Sequence, residues 1–338
     1  MGNSPHKFAF ANNKKMLKIL KWLGLIVMSL LILLIAATAA MQHKKFDVPY
    51  PDIHASTDSA IIRRGRYLVT SVSHCAYCHG DSAKTALLHN GGIISLKGGR
   101  VFPIPLGKVH IPNITPDKET GIGNISDGAI ARALRNGVGH DGRALIGFMP
   151  YQGLSDADLT AIISYLRQQP PVTNAVPHIE PTVLGRVVMA WLLKPTGPRY
   201  TPPSNLKPDT TAVYGAYLAN NVASCYSCHT ARDPKNGQFI GAPFAGGFHM
   251  ASESDPANYE VITPNLTPDP KTGRLAAFDF HLFQSRFRMG PLTPHTSMPW
   301  GAFRNMSDSD LKAIYNYLQQ LKPVYNKIDQ TVIKKEKP

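Results

Sequence analysis

Cysteine is scarce in this 338-residue chain: there are four, at positions 75, 78, 225 and 228. A four-cysteine zinc ribbon brings its two pairs within roughly 15 to 20 residues of each other, whereas these pairs are 150 positions apart. No βαβ pattern surrounds either pair, which argues against a thioredoxin-like dithiol. Acidic residues are also few, 22 against 36 lysines and arginines, for a net charge of +14. Most of the excess is peripheral: residues 1–46 hold seven lysines and no acid, residues 327–338 hold four lysines and two acids, and residues 47–326 keep only +5. Nucleic-acid binding requires a concentrated basic face and a recognition motif, and neither is evident. Strand signals are sparse as well, so the fold class expected is all-α.

What is present is a pair of five-residue motifs, Cys75-Ala76-Tyr77-Cys78-His79 and Cys225-Tyr226-Ser227-Cys228-His229. Two thiols three positions apart can each close a thioether onto one haem vinyl group, and the following histidine can turn its imidazole to the iron. The motifs therefore predict two covalently bound haem c groups, attached at Cys75, Cys78, Cys225 and Cys228, with His79 and His229 as axial ligands. Structural disulfides in an oxidising compartment are the competing reading, but they leave the histidine after each pair unexplained.

The flanks of the motifs repeat. Gly65-Arg66-Tyr67-Leu68 stands ten residues before Cys75, and Gly215-Ala216-Tyr217-Leu218 ten before Cys225. Pro112-Asn113-Ile114-Thr115-Pro116-Asp117 recurs as Pro264-Asn265-Leu266-Thr267-Pro268-Asp269. Ser155 and Ser307 each open a helix, with Asp158 and Asp310 three positions on in the manner of a capping box. Behind them Leu159, Ile162 and Leu166, and Leu311, Ile314 and Leu318, fall at helical spacing. Pro170 and Pro323 follow these helices. The chain is an internal duplication, and its length suits an anchor plus two modules.

The second axial ligand is expected to be methionine, a soft thioether that raises the haem potential and leaves no open coordination position. Met149-Pro150-Tyr151 and Met298-Pro299-Trp300 lie 74 and 73 residues after the first cysteine of each module. A residue before proline is held extended, which suits a segment crossing a haem face. Met149 and Met298 are therefore the candidates; Met250, Met289 and Met306, and the histidines His110 and His249, are the rivals.

From Trp22 to Met41 there are twenty residues without a charge, enough to cross about 30 Å of hydrocarbon as a helix. Five lysines and no acid precede them, so the positive-inside rule puts the N-terminus in the cytoplasm and the rest in the periplasm. Cleavage as a signal peptide after Ala37-Thr38-Ala39 is the alternative, and the length of the apolar run favours a retained anchor in the inner membrane. The expected organisation is a cytoplasmic basic segment 1–21, a transmembrane anchor 22–41, a first haem domain 55–170 and a proline-rich connection 171–210. A second haem domain 211–325 and a basic C-terminal tail 326–338 follow. Within the connection, Val183–Leu193 is apolar with one charge and too short to span a bilayer. Interdomain packing, a membrane-surface helix and a docking surface all remain open for it.

Taken together, the attachment motifs, the P-N-[IL]-T-P-D and M-P-[YW] segments, the S-D-x-D-L helix starts and the proline-rich connection resemble the cytochrome c subunit of bacterial membrane-bound alcohol, gluconate or sorbitol dehydrogenases. The resemblance covers roughly residues 60–325. It implies tandem cytochrome c-like domains and electron transfer from a quinoprotein or flavoprotein dehydrogenase to ubiquinone. The family's third haem module and C-terminal anchor have no counterpart after Pro323, which makes a soluble cytochrome or a terminal oxidase an equal candidate for acceptor. A diheme peroxidase or thiosulfate-oxidising cytochrome is the enzymatic alternative, against which the two matched methionines argue.

Overall fold

The computed structural model describes residues 6–198, 200–234, 237–252, 254–293 and 295–336, with side chains from residue 14 onward. A 36-residue helix, His6–Met41, comes first, and its stretch Lys14–Met41 is long and apolar enough to cross a membrane. The remainder is built twice. In the first half, helix Ser59–Tyr67 runs into a wider turn at Leu68–Val72, and helix Asp127–Asn136 and the terminal helix Asp156–Arg167 follow. In the second half, Ala212–Tyr217 and Leu218–Val222 are followed by Phe280–Met289 and Asp308–Gln319.

In each half the opening helix crosses the terminal helix at a glycine. A Cβ on Gly65 would lie 1.8 Å from the Ala161 carbonyl oxygen, and one on Gly215 would lie 1.9 Å from that of Ala313. The repeat Gly-x-Tyr-Leu is thus a backbone-to-backbone contact that no side chain can share. The matched leucines behind it, Leu68 and Leu218, and their partners Leu159 and Leu311 are fully buried. They belong to one apolar core that runs through both halves.

The all-α expectation left out two small antiparallel sheets. Val101–Ile104, Gly107–His110 and Glu180–Pro181 form one; His249–Ala251, Tyr259–Ile262 and Val332–Lys334 form the other. Their strands are two to four residues long, include Pro103 and Pro181, and are mostly half-exposed, so no hydrophobic alternation marks them. In each half the third strand comes from the chain beyond the terminal helix. The segment read as a basic tail therefore carries a strand, Val332–Lys334, paired with Tyr259–Ile262.

The serine caps form as expected: Ser155 Oγ accepts from Asp158 N and Ser307 Oγ from Asp310 N, both at 3.1 Å. The acids, however, do not return to the serine amide. A tyrosine hydroxyl from the opposite half sits between them. Ser155 N donates to Tyr217 Oη at 3.0 Å, and that hydroxyl donates to Asp158 Oδ2 at 2.8 Å. Reciprocally, Ser307 N donates to Tyr67 Oη at 2.9 Å, which donates to Asp310 Oδ2 at 2.7 Å. Such an exchange is the signature of a self-complementary, two-fold interface. At its centre the equivalent positions Arg64 and Tyr214 touch, Arg64 Nη2 donating to Tyr214 Oη at 3.0 Å while the same guanidinium grips Asp158.

The exchange predicts that Tyr217→Phe weakens an element in the other half. Leaving the buried Ser155 amide and one Asp158 oxygen without this partner is expected to cost about 1–3 kcal/mol. Hydrogen exchange followed by mass spectrometry is expected to show faster amide exchange at 156–159, with Asp308–Leu311 unchanged; Tyr67→Phe is expected to give the mirror result.

Candidate functional site

The first Cys-x-x-Cys-His segment follows the turn Leu68–Val72 as a short helix, Ala76–His79, and the second follows Leu218–Val222 as Cys225–Cys228. None of the four cysteines is paired in a disulfide. Burial, reinforced by the neighbouring cysteine of each pair, pushes Cys75 and Cys225 up to about 12. These sulfurs are therefore neutral at physiological pH. Among the described residues, no three His, Cys, Asp or Glu side chains converge as a site for a bare metal ion.

The histidines are held in one orientation. His79 Nδ1 is 2.9 Å from the Pro112 carbonyl oxygen, and His229 Nδ1 is 3.0 Å from that of Pro264. A carbonyl accepts only, so in each case Nδ1 carries the proton and Nε2 presents its lone pair. Burial lowers both imidazoles below the ordinary histidine range, against the opposing pull of the carbonyl, which keeps the rings neutral and able to ligate.

What fixes that carbonyl is the P-N-x-T-P-D segment, whose role the sequence alone did not reveal. Asn113 Oδ1 accepts from Thr115 N at 2.9 Å and from Thr115 Oγ1 at 2.7 Å, while its amide donates to the Val172 carbonyl at 2.7 Å. Asn265 repeats this with Thr267 at 2.9 and 2.8 Å and with Val324 at 2.8 Å. Asp117 and Asp269 each accept from the backbone and hydroxyl of a threonine three residues on. The turn is thereby tied both to itself and to the chain leaving the terminal helix.

Two further positions were missed. Gly98 and Gly246, at φ +69° and +75°, donate their amides to the His79 and His229 carbonyls at 2.8 Å. A Cβ on either would fall about 2.5 Å from backbone atoms at Pro112 or Thr263. The signal was present as matched Gly-Gly pairs, Gly98-Gly99 and Gly246-Gly247, but nothing in the spacing tied them to the histidines.

Met149 and Met298 are partly buried and pack against the same apolar core as Cys75 and Cys225. Of the rivals, the two histidines are paired with glutamates. His110 pairs with Glu180 at 3.0 Å and His249 with Glu260 at 2.8 Å. Met306 lies fully inside the core, Met289 is exposed, and Met250 sits on a strand. The methionine segments also abut the opposite half. Gly301, three residues past Met298, donates its amide to Tyr77 Oη at 3.0 Å, inside the first attachment motif. Gly153, four past Met149, packs on Asn221, four before Cys225.

The side chains in each half, two cysteine sulfurs, an imidazole with a free Nε2 and a methionine packed on the same core, are of the kinds that a covalently attached haem requires. Residues 62–170 match the sequence model of the Cytochrome c family. The chain is similar to a nicotinate dehydrogenase subunit of Pseudomonas putida, 29% identical over 277 residues that make up 79% of this chain and 22% of that protein. It is equally similar, 29% over 284 residues, to the cytochrome c subunit of the quinone-dependent alcohol dehydrogenase of Gluconacetobacter polyoxogenes, covering 79% of this chain and 57% of the relative. A diheme cytochrome c-type protein of Cereibacter sphaeroides is 27% identical over 267 residues, 73% of this chain and 81% of its own length. The chain thus spans between a fifth and three fifths of the two dehydrogenase subunits. Residues 62–170 thus carry a cytochrome c domain, which implies a covalent haem c site there, and the chain as a whole is similar to the cytochrome c subunits of bacterial dehydrogenases.

Proposed function

We propose that the chain is a membrane-anchored diheme c-type cytochrome that relays electrons from a periplasmic dehydrogenase to the respiratory chain. Each half, 55–170 and 211–325, is a cytochrome c domain with one haem. Cys75 and Cys78, and Cys225 and Cys228, are the thioether residues; His79 with Met149, and His229 with Met298, are the axial pairs. The observation that carries the reading is the repeated histidine lock, in which Nδ1 is bonded to a proline carbonyl at 2.9 and 3.0 Å and Nε2 is left for iron. A bound haem c supplies reversible one-electron chemistry at a potential set by its ligands.

The protein's own contribution is to orient and to enclose. The proline carbonyls fix ring tautomer and raise imidazole basicity, and the paired methionines close the sixth position to substrate. The donor is a dehydrogenase, in keeping with the names of the relatives, and we take it to be a quinoprotein or flavoprotein; the acceptor is ubiquinone, a soluble cytochrome or a terminal oxidase. The apolar helix ending at Met41 anchors the chain in the inner membrane, with both haem domains in the periplasm.

Intact-mass measurement of the denatured protein tests the stoichiometry directly: the expected increment is two haems, falling to one in a Cys75→Ala, Cys78→Ala variant. Met149→Ala and Met298→Ala are each expected to lower one redox transition and to let carbon monoxide bind one reduced iron. Steady-state turnover of peroxide or thiosulfate by the isolated wild-type protein would contradict a relay without substrate chemistry.

The asparagine turns give a separate expectation. Asn113→Ala or Asn265→Ala removes three or more of the bonds that hold the proline carbonyl, at a cost of about 1–3 kcal/mol from polar groups left unpaired. With the histidine's partner loosened, the imidazole becomes a poorer donor. A spectroelectrochemical titration is therefore expected to show one haem potential raised and the other unmoved in each variant.

A further inference from the structure

The apolar helix in the proline-rich connection has a place that the haem sites do not explain. Val183–Trp191 is capped by Thr182, whose hydroxyl accepts from Gly185 N at 3.1 Å. One side of it is closed. Gly185 is pressed against the hairpin turn, where a Cβ would meet the Leu106 carbonyl oxygen at 1.9 Å, and Ala190 is buried. The other side carries Leu184, Val187 and Trp191, at the i, i+3, i+7 spacing of one helical stripe. They are 54, 40 and 43% exposed, and the flanking Val183 and Leu192 are 81 and 68% exposed. A contiguous apolar face of this kind on a water-soluble surface marks a contact still to be made.

Its neighbour identifies the contact. The Trp191 indole N–H donates to Thr38 Oγ1 at 3.1 Å, and Thr38 is itself buried there. Thr38 lies one turn inside the C-terminal end of the long apolar helix, at Met41. Three residues at 1.5 Å each put it about 4.5 Å from that end. If Trp22–Met41 spans the hydrocarbon, Trp191 is at the depth where tryptophan is favoured in membrane interfaces. Beside the junction is an open cleft of about 470 Å³ whose lining includes His43, Lys45, Asp141, Arg143, His178 and Arg186. Asp141 is paired with Arg143 at 2.6 Å, so Lys45 and Arg186 leave the cleft net positive.

We infer that the helix Val183–Trp191 lies in the headgroup layer of the membrane, its Leu184–Val187–Trp191 face toward the acyl chains, and that the basic cleft beside it seats the phosphate of an anionic phospholipid. A helix lying in the interface buries its apolar face about 5–10 Å deep and gains from anionic lipid. The consequence is a second attachment to the bilayer, from the chain between the two haem halves. One helix would leave the periplasmic body free to swivel; two contacts fix which face it presents to the membrane. This inference rests on the proposed anchor.

The test uses the full-length haemoprotein in nanodiscs containing phosphatidylglycerol with a photoreactive diazirine near the ester end of an acyl chain, the adducts being mapped by mass spectrometry. Adducts are expected in 183–193 as well as in 22–41. Leu184→Glu with Leu192→Glu, both at exposed positions, is expected to reduce labelling of 183–193 at least fivefold while leaving 22–41 labelled. Labelling confined to 22–41 would overturn the interfacial helix and leave the anchor standing; labelling of neither would overturn both. Replacing phosphatidylglycerol by phosphatidylcholine, or Lys45→Gln with Arg186→Gln, is expected to reduce labelling of 183–193, and labelling indifferent to both changes would overturn the headgroup site.

Discussion

The arrangement depends on a tyrosine hydroxyl placed inside a helix cap. In each half, serine and aspartate leave room between amide and carboxylate, and the opposite half fills it with Tyr67 or Tyr217. Helix caps are usually local affairs, and an unfilled one left in a buried position is costly. Here neither terminal helix is fully capped until the halves meet. The Gly65 and Gly215 crossings then matter twice over. They bring the tyrosine-bearing helix close to its own terminal helix and set the angle at which that tyrosine reaches the other one.

The candidate haem sites are joined across the same interface. The methionine segment of the second half ends on Tyr77 of the first attachment motif, and that of the first half ends on Asn221, just ahead of the second motif. Each half thus makes a contact at or just ahead of the attachment motif of the other. The proposed relay needs its centres held near one another, and a core shared by both halves, with reciprocal caps, is a means of doing so.

Much of this was legible in the sequence, for identifiable reasons. The attachment motifs, the methionine segments and the serine-capped terminal helices are local patterns with fixed spacing, and the caps form at the two serines that the pattern marks. The function of the asparagine turn was not legible. Its bonds run to Val172 and Val324, 59 residues away in each case, and its product is the direction of a carbonyl. The tyrosines were visible as half of a repeat, but their partners are across the interface, and Asp158 and Asp310 had a sufficient local explanation as capping-box acids. The small sheets escaped because strands of two to four residues, mostly half-exposed and in two cases containing proline, carry no periodicity.

The proposed relay requires the interlocked halves to hold two haems in one intramolecular electron path. Laser photoreduction or pulse radiolysis of the full-length protein tests it most directly, by following redistribution of a single injected electron between the two haems as protein concentration is varied. The account predicts a first-order redistribution whose rate does not change with concentration. A rate that rises in proportion to protein concentration would mean that electrons pass between molecules, and would contradict it.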